Sequence, residues 1–132
     1  MIVDTSAIVA IILNEPLAPT LVGLLLAESG ARMSAATFVE LCCVLDNRSA
    51  PEDQRRLTAL LQAFGIEIVP FTPKQAQLAR DAYRDFGRGS GHPARLNFGD
   101  CFSYALAADT EETLLFVGDD FVKTDVTPAW CP

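Results

Sequence analysis

Residues 1–7 read Met-Ile-Val-Asp-Thr-Ser-Ala, a short apolar run that ends at an acidic residue, Asp4. The apolar run predicts a buried strand over residues 1–3, and the following residues predict a helix over 5–13. Asp4 therefore stands at the carboxyl end of a predicted strand, where ligands bind in open α/β sheets. The same position also suits an ordinary helix N-cap, which needs no ligand.

The rest of the chain continues this alternation of strands and helices. Further strands are predicted at 31–35, 66–71 and 114–117, and further helices at 16–28, 36–47, 51–64, 73–86 and 98–109. Repeated glycines and Pro93 mark residues 87–97 as a loop. Strands separated by helices favour a three-layer α/β/α fold with a central parallel sheet. With 132 residues, the chain is expected to form one domain over 1–132.

Composition restricts the class of protein and its partners. Half of the residues are hydrophobic, as in a globular protein with a substantial core. The formal net charge of −7, from 17 acids and 10 bases, argues against generic binding to nucleic-acid phosphates. None of the four cysteines forms a CxxC pair, so we expect reduced, buried thiols in a cytoplasmic protein. We also expect no membrane span and no targeting segment.

Acidic residues fall at the ends of the predicted elements. Asp119 and Asp120 follow the fourth strand, and Asp100 lies at the start of the helix before it. Glu40 lies beside the apolar stripe of its helix, where burying a lone carboxylate is costly. Ordinary explanations also exist, namely a turn at 119–120, a first-turn acid at 100 and a side chain at 40 that reaches solvent.

The convergence of these acids on one sheet edge favours a metal site. Neighbouring carboxylates raise each other's pKa, and a bound divalent cation relieves their repulsion. Oxygen ligands without a nearby His or Cys favour Mg²⁺, with Mn²⁺ as a possible substitute. Such an ion can activate water for attack on phosphorus and stabilise the leaving oxygen. These residues therefore predict hydrolysis of a phosphodiester.

A local basic strip offsets the acidic balance of the chain. It consists of Arg80, Arg84, Arg88 and Arg95. The first three recur every four residues and are predicted to share one helical face, with Asp81 and Asp85 pointing elsewhere. The strip suits a track for RNA phosphates that leads to Asp100, although a solvated helix face has the same pattern.

Four motifs in this order along the chain together resemble PIN-domain toxins of the VapC type. They are Met-Ile-Val-Asp-Thr-Ser-Ala at 1–7, Thr-Phe-Val-Glu at 37–40, Leu-Asn-Phe-Gly-Asp-Cys-Phe-Ser-Tyr-Ala-Leu-Ala at 96–107, and Leu-Leu-Phe-Val-Gly-Asp-Asp-Phe at 114–121. The resemblance implies a PIN fold with a parallel sheet of about five strands. It also implies a Mg²⁺-dependent endoribonuclease, the toxin of a type II toxin–antitoxin pair, with RNA as substrate, a small antitoxin protein as partner and a homodimeric state.

The resemblance also implies roles for individual residues. Carried over by position, Asp4 and Asp100 are the direct metal ligands, and Glu40 is a third acid that holds the metal through water or orients the nucleophile. Thr5 or Ser6 supports the first acid through its hydroxyl group.

The fourth acid and the competing families remain open at this point. Either Asp119 or Asp120 can serve as the fourth acid, and Asp120 is preferred. A receiver domain normally has two adjacent acids after its first strand, and a haloacid-dehalogenase-like phosphatase needs Asp-x-Asp there, whereas this chain has Asp-Thr-Ser at 4–6. A non-catalytic module with the same fold is a further alternative, against which the presence of Glu40 and Asp100 argues.

Overall fold

A small parallel sheet forms the centre of the molecule. In the computed structural model, which describes residues 1–48 and 51–130, the strands are β1 (Ile2–Val3), β2 (Arg32–Ser34), β3 (Glu67–Val69) and β4 (Leu114–Leu115). They are arranged in the order β3-β2-β1-β4, and every pairing is parallel. The predicted parallel α/β architecture is therefore confirmed.

Within the described residues the sheet has four strands, whereas about five were predicted. Next to β4, the chain near Pro128 makes a single parallel bridge to Leu114. Two backbone hydrogen bonds hold this bridge, from Leu114 N–H to the Thr127 carbonyl and from Ala129 N–H to the Leu114 carbonyl. A fifth strand would need a longer series of backbone hydrogen bonds to β4. This single bridge therefore extends the edge of the sheet without forming a strand.

Helices connect the strands as predicted. They are α1 (Thr5–Ile12), α2 (Ala18–Ala27), α3 (Ala35–Arg48), α4 (Pro51–Ala63), α5 (Pro73–Phe86) and α6 (Asp100–Thr110), and a 3₁₀ turn spans Phe121–Lys123. Each helix and strand end lies within two residues of its predicted position. No helix among the described residues is both long and apolar enough to cross a lipid bilayer.

The core consists of two layers, one on each face of the sheet. Because successive strand residues point to opposite faces, Ile2 and its neighbour Leu114 pack against α5 and α6. Val3 and Leu115 point the other way and pack against α1 to α4. Ile2, Val3 and Leu114 are completely buried, so tight packing fixes the position of the carboxyl end of β1.

The cysteine prediction is correct in part. Cys42, Cys43 and Cys101 are all thiols, but only Cys101 is buried and Cys43 is exposed. Cys43 lies on the solvent-facing side of α3. Cys131 lies outside the residues that the structure describes.

Candidate active site

A cleft of about 280 Å³ opens where β1 ends. Its lining brings together residues that are far apart in the sequence, namely Asp4, Thr5, Ser6, Val9, Glu15, Glu40, Val44, Asn97, Asp100 and Val117. The three acids predicted to meet, at positions 4, 40 and 100, therefore face one cavity. An additional acid on its lining, Glu15, is exposed and was not singled out from the sequence.

Asp4 is held between α1 and α6. Only 3% of it is exposed, and its Oδ2 accepts hydrogen bonds from the Ser6 backbone N–H (2.9 Å) and the Ser6 hydroxyl (2.6 Å). Its Oδ1 accepts a hydrogen bond from the Ser103 hydroxyl at 2.6 Å. Asp4 is thus the N-cap of α1 and a component of the cleft at once, so the two interpretations of its position do not exclude each other.

Hydroxyl groups orient the carboxylates. Of Thr5 and Ser6, the two residues predicted as alternatives to support Asp4, Ser6 donates its hydroxyl hydrogen bond to Asp4, whereas the Thr5 hydroxyl donates to Glu40 Oε2 at 2.9 Å. The Ser6 hydroxyl also accepts a hydrogen bond from the Val117 N–H, which joins the start of α1 to the chain beyond β4. No role for Ser103 was predicted from the sequence. A signal was present, because Ser103 follows Asp100 by about one helical turn and the two side chains therefore lie on the same side of α6.

Glu40 approaches the start of α6 at very close range. An ideal Cβ added to Gly99 would lie 2.0 Å from Glu40 Oε1 and 2.5 Å from Oε2, so only glycine leaves space for this carboxylate. Burial raises the pKa of Glu40, the hydrogen bond from Thr5 lowers it, and the negative charge of Asp4 raises it further. Gly99 thus allows Glu40, which the sequence places on a different helix, to reach the cleft.

We expect Gly99→Ala to reduce the RNA cleavage that the family resemblance predicts, without unfolding the protein. Gly99 has a helical backbone (φ −67°), which alanine adopts readily, and the clashing atoms are the mobile end of a side chain. The Glu40 carboxylate should move aside, and a misplaced catalytic group can lower the rate by a factor on the order of 10². RNA cleavage assays and thermal denaturation measure the two effects separately.

Gly23→Ala is the matched control, because Gly23 also lies in a helix and nothing is within 4 Å of its added Cβ. In a Glu40→Ala background, Gly99→Ala should cause no further loss, since the two changes act through the same carboxylate. Full activity of the single Gly99→Ala variant would show that the position of Glu40 is unimportant.

Asp100 begins α6 and is fixed by reciprocal hydrogen bonds with Asn97. Its Oδ2 accepts from the Asn97 N–H (2.7 Å), and its own N–H donates to the Asn97 side chain (2.9 Å). This reciprocal pair has the geometry of a capping box and encloses the turn at residues 98–99, and α6 itself begins at Asp100, two residues after the predicted start at 98.

The electrostatics of Asp100 identify its acidic neighbours. Burial, with smaller contributions from the negative charges of Asp4, Asp120 and Glu40, raises the pKa of Asp100 to about 7 against the opposing hydrogen bond from Asn97. Asp120, which is exposed, therefore acts on the cleft. Asp119 instead lines a separate cavity beside Trp130.

The donor set fits a hard divalent cation. Asp4, Glu40 and Asp100 present only oxygen, and no His or Cys lines the cleft. Among residues 1–48 and 51–130, no group of three His, Cys, Asp or Glu side chains is close enough to enclose a metal ion. Mg²⁺ usually retains several waters and needs only one or two carboxylates plus substrate phosphate, so this open arrangement suits Mg²⁺ or Mn²⁺.

The predicted basic strip is only partly correct. Arg88 does not share a helical face with Arg80 and Arg84, because α5 ends at Phe86. The two intervening acids do not point elsewhere either: Asp81 lies 3.1 Å from Arg84 and 3.2 Å from Arg80. Asp85 pairs with Arg84 at 2.7 Å, because the long arginine side chain folds back along the helix surface.

Two arginines of the strip lie in the loop that leads to the cleft. Arg88 and Arg95 are exposed, and within the described part of the chain no ion pair joins either of them to an acid. The Arg88 backbone N–H donates to the Leu96 carbonyl, which brings the loop back towards Asn97. These two guanidinium groups are therefore available to phosphate near the cleft.

Comparison with known proteins places this geometry in a family. The PIN domain family profile matches residues 1–126. Ribonuclease VapC42 of Mycobacterium tuberculosis is 54% identical over 129 residues, which cover 98% of each chain.

Solved structures show the same fold at low sequence identity. The crystal structure of Mycobacterium tuberculosis VapC20, described as a sarcin–ricin loop cleaving toxin, has a TM-score of 0.74 at 17% identity, covering 96% of this chain and 95% of that one. A toxin–antitoxin complex from Klebsiella pneumoniae has a TM-score of 0.70 at 14% identity, covering 98% and 97%. From the family match and the near full-length similarity to VapC42, the chain belongs to the PIN-domain family, in the group of the VapC ribonucleases.

Proposed function

We propose that this protein is a Mg²⁺-dependent endoribonuclease and the toxin of a type II toxin–antitoxin pair. The observation that supports it best is the meeting of Asp4, Glu40 and Asp100, from three separate elements, around one oxygen-lined cleft. The relatives named as VapC ribonucleases support RNA as the substrate. The proposed substrate places the activity in the cytoplasm.

Asp4, Glu40, Asp100 and the hydroxyl groups that orient them have separate tasks in this proposal. Asp4 and Asp100 hold the cation, which when bound supplies positive charge and lowers the pKa of water. Ser6 and Ser103 fix the orientation of Asp4 through its two oxygens. Glu40, oriented by Thr5, accepts a proton at its carboxylate, for which its raised pKa makes it a better base.

Asp120 is proposed as the fourth acid, because its charge acts on Asp100. Asp119, the alternative at this position, lines another cavity and is assigned no catalytic task. The arginines at 80, 84, 88 and 95 are proposed to bind the RNA phosphates. Arg88 and Arg95 are proposed to contribute more to phosphate binding, because Arg80 and Arg84 already pair with acids on α5.

Two protein partners belong to the proposal. A small cognate antitoxin would inhibit the enzyme, as the similarity to a toxin–antitoxin complex suggests. A second copy of the chain would form a homodimer. Co-purification from the native operon, followed by mass spectrometry and light scattering, tests both partners.

Dependence on a divalent cation tests the proposed chemistry directly. We expect the purified protein to cleave RNA in Mg²⁺ or Mn²⁺, to lose activity in excess EDTA, and to regain it when Mg²⁺ is restored. Circular dichroism in EDTA is the control that the fold persists without metal. Undiminished cleavage in EDTA would contradict a metal-dependent mechanism.

A further inference from the structure

A second cavity, of about 460 Å³, is lined by Phe98 and Cys101, whose immediate neighbours in sequence, Asn97 and Asp100, line the carboxylate cleft. We call it the aromatic groove, and define it by Phe71, Arg80, Tyr83, Phe98 and Phe102. Its lining is almost entirely apolar apart from the arginine. Asn97 and Asp100 face the cleft while Phe98 faces the groove, so one short segment serves both cavities.

Phe98 is unusually exposed for a large apolar side chain. Its exposed fraction is 74%, and that of Tyr83, across the groove, is 44%. Burying such a ring usually stabilises a protein, so the exposure of Phe98 beside the residues of the cleft indicates a role other than packing. Exposed apolar patches of this kind mark binding sites.

The rings of the groove are held in place. Phe98 packs edge-to-face on Phe102, with centroids 4.9 Å apart, and Phe102 packs in the same way on Phe71 at 5.2 Å. The hydrogen bonds between Asn97 and Asp100 fix the backbone on both sides of Phe98. Phe98 therefore presents a fixed ring surface to solvent at low entropic cost to a ligand.

We propose that the aromatic groove binds an unpaired nucleobase of the RNA substrate, stacked against Phe98, next to the phosphodiester in the carboxylate cleft. This inference rests on the proposed ribonuclease function and specifies its substrate class. Proteins recognise unpaired bases by stacking them on aromatic side chains, with nearby cations contacting the backbone.

The position of the groove favours a nucleobase over other ligands. Phe98 is two residues from Asp100, so a phosphate at the cleft and the base of an adjoining nucleotide lie at neighbouring places on the protein. Arg80, on the wall of the groove, pairs with Asp81 at 3.2 Å but keeps 69% of its side chain exposed, so its guanidinium group can also contact an RNA phosphate. The alternative occupant of the aromatic groove is a second copy of this chain. A protein surface would not supply a phosphate group to pair with Arg80, whereas RNA does.

The proposed contact has a consequence for substrate choice. A base inside a duplex is already stacked on its neighbours and has no free face for Phe98. Single-stranded segments, loops and bulges offer unstacked bases. The enzyme should therefore prefer unpaired positions, with modest selectivity among bases, since every base has a face that stacks.

Three substitutions at position 98 test the stacking. Binding of fluorescein-labelled oligouridylate and oligoadenylate is measured by anisotropy in Mg²⁺, in an Asp4→Asn background that prevents cleavage. Phe98→Ala should raise Kd about tenfold, as expected for the loss of one stacked base. Phe98→Tyr should retain affinity, whereas Phe98→Leu, which is apolar but not aromatic, should bind as weakly as Phe98→Ala.

Inorganic polyphosphate provides a matched ligand, because it carries phosphates without bases. Its affinity should be the same with and without Phe98→Ala. Sedimentation of each variant reports the oligomeric state in parallel. Equal RNA binding with and without Phe98→Leu and Phe98→Ala would overturn the inference. A Phe98→Ala protein whose only change is dissociation of a dimer would overturn it as well.

These outcomes are separate from those that test the ribonuclease activity. Failure of the wild-type protein to cleave RNA in Mg²⁺ would refute the proposed function. Normal cleavage combined with no effect at position 98 would refute only the nucleobase site.

Discussion

We expect Asp4→Asn and Asp100→Asn each to lower the rate of metal-dependent RNA cleavage by a factor on the order of 10³. Each change removes a negative charge from the proposed cation site, and the loss of one preorganised electrostatic group commonly has an effect near this size. The measurement is the cleavage rate of labelled RNA at saturating Mg²⁺, where weaker metal binding alone cannot account for the loss.

The asparagine variants should keep the fold, because they retain the shape of the side chain. At position 4, the amide oxygen can accept the bonds from Ser6, and the Ser103 hydroxyl can reverse its role and accept from the amide nitrogen. Asp119→Asn is the matched control, since Asp119 lies close to Asp120 in the chain but lines another cavity. Wild-type rates for Asp4→Asn or Asp100→Asn would contradict the proposed mechanism.

The second large effect concerns stability. We expect Asp100→Asn to stabilise the metal-free protein at pH 8 and to have little effect at pH 4. Burial and three neighbouring acids raise the pKa of Asp100 from 3.8 to about 7, so the folded state favours the protonated carboxyl group. Between these values the folded protein binds more protons than the unfolded chain, and its free energy of unfolding falls as the pH rises.

Asp100→Asn should raise the free energy of unfolding by about 2 kcal/mol at pH 8, a value that allows for the partial exposure of the Asp100 side chain. Urea denaturation in EDTA at both pH values measures it, and Asp119→Asn again serves as the control. Adding Mg²⁺ at pH 8 should stabilise the wild-type protein and should have a much smaller effect on Asp100→Asn. A wild-type stability that is independent of pH from 4 to 8 in this comparison would contradict the raised pKa.

The two expectations have one physical origin. Acids gathered for catalysis repel one another in the absence of a cation, so the arrangement that binds metal also weakens the metal-free fold. Active sites commonly contain arrangements that support activity and lower the stability of the fold. Asp100 is the residue at which both effects should be largest, because it lies near all three of the other acids.

Much of the fold could be predicted because it depends on local patterns. The apolar run before Asp4, the helical spacing of apolar residues and the glycines of the 87–97 loop each reflect forces that act between near neighbours in sequence. The acids at positions 4 and 100 could likewise be found, since strand and helix ends are visible locally and parallel strands bring their carboxyl ends to one edge.

Other features depend on contacts between distant segments. Ser103 donates to Asp4 across 99 positions of sequence, and Thr5 reaches Glu40 across 35. The position of Gly99 against the Glu40 carboxylate, and the action of Asp120 rather than Asp119 on Asp100, arise only when α3, α6 and the chain after β4 pack together.

By itself, the sequence determined the alternating α/β pattern, the family motifs and the acids that form the candidate site. Only the tertiary structure decided which hydroxyl orients which acid, which arginines are engaged by acids, and that Phe98 borders an open groove. The physical reason is that periodicity reports the side of an element on which a residue lies. The partner it meets there is set by how separate elements pack.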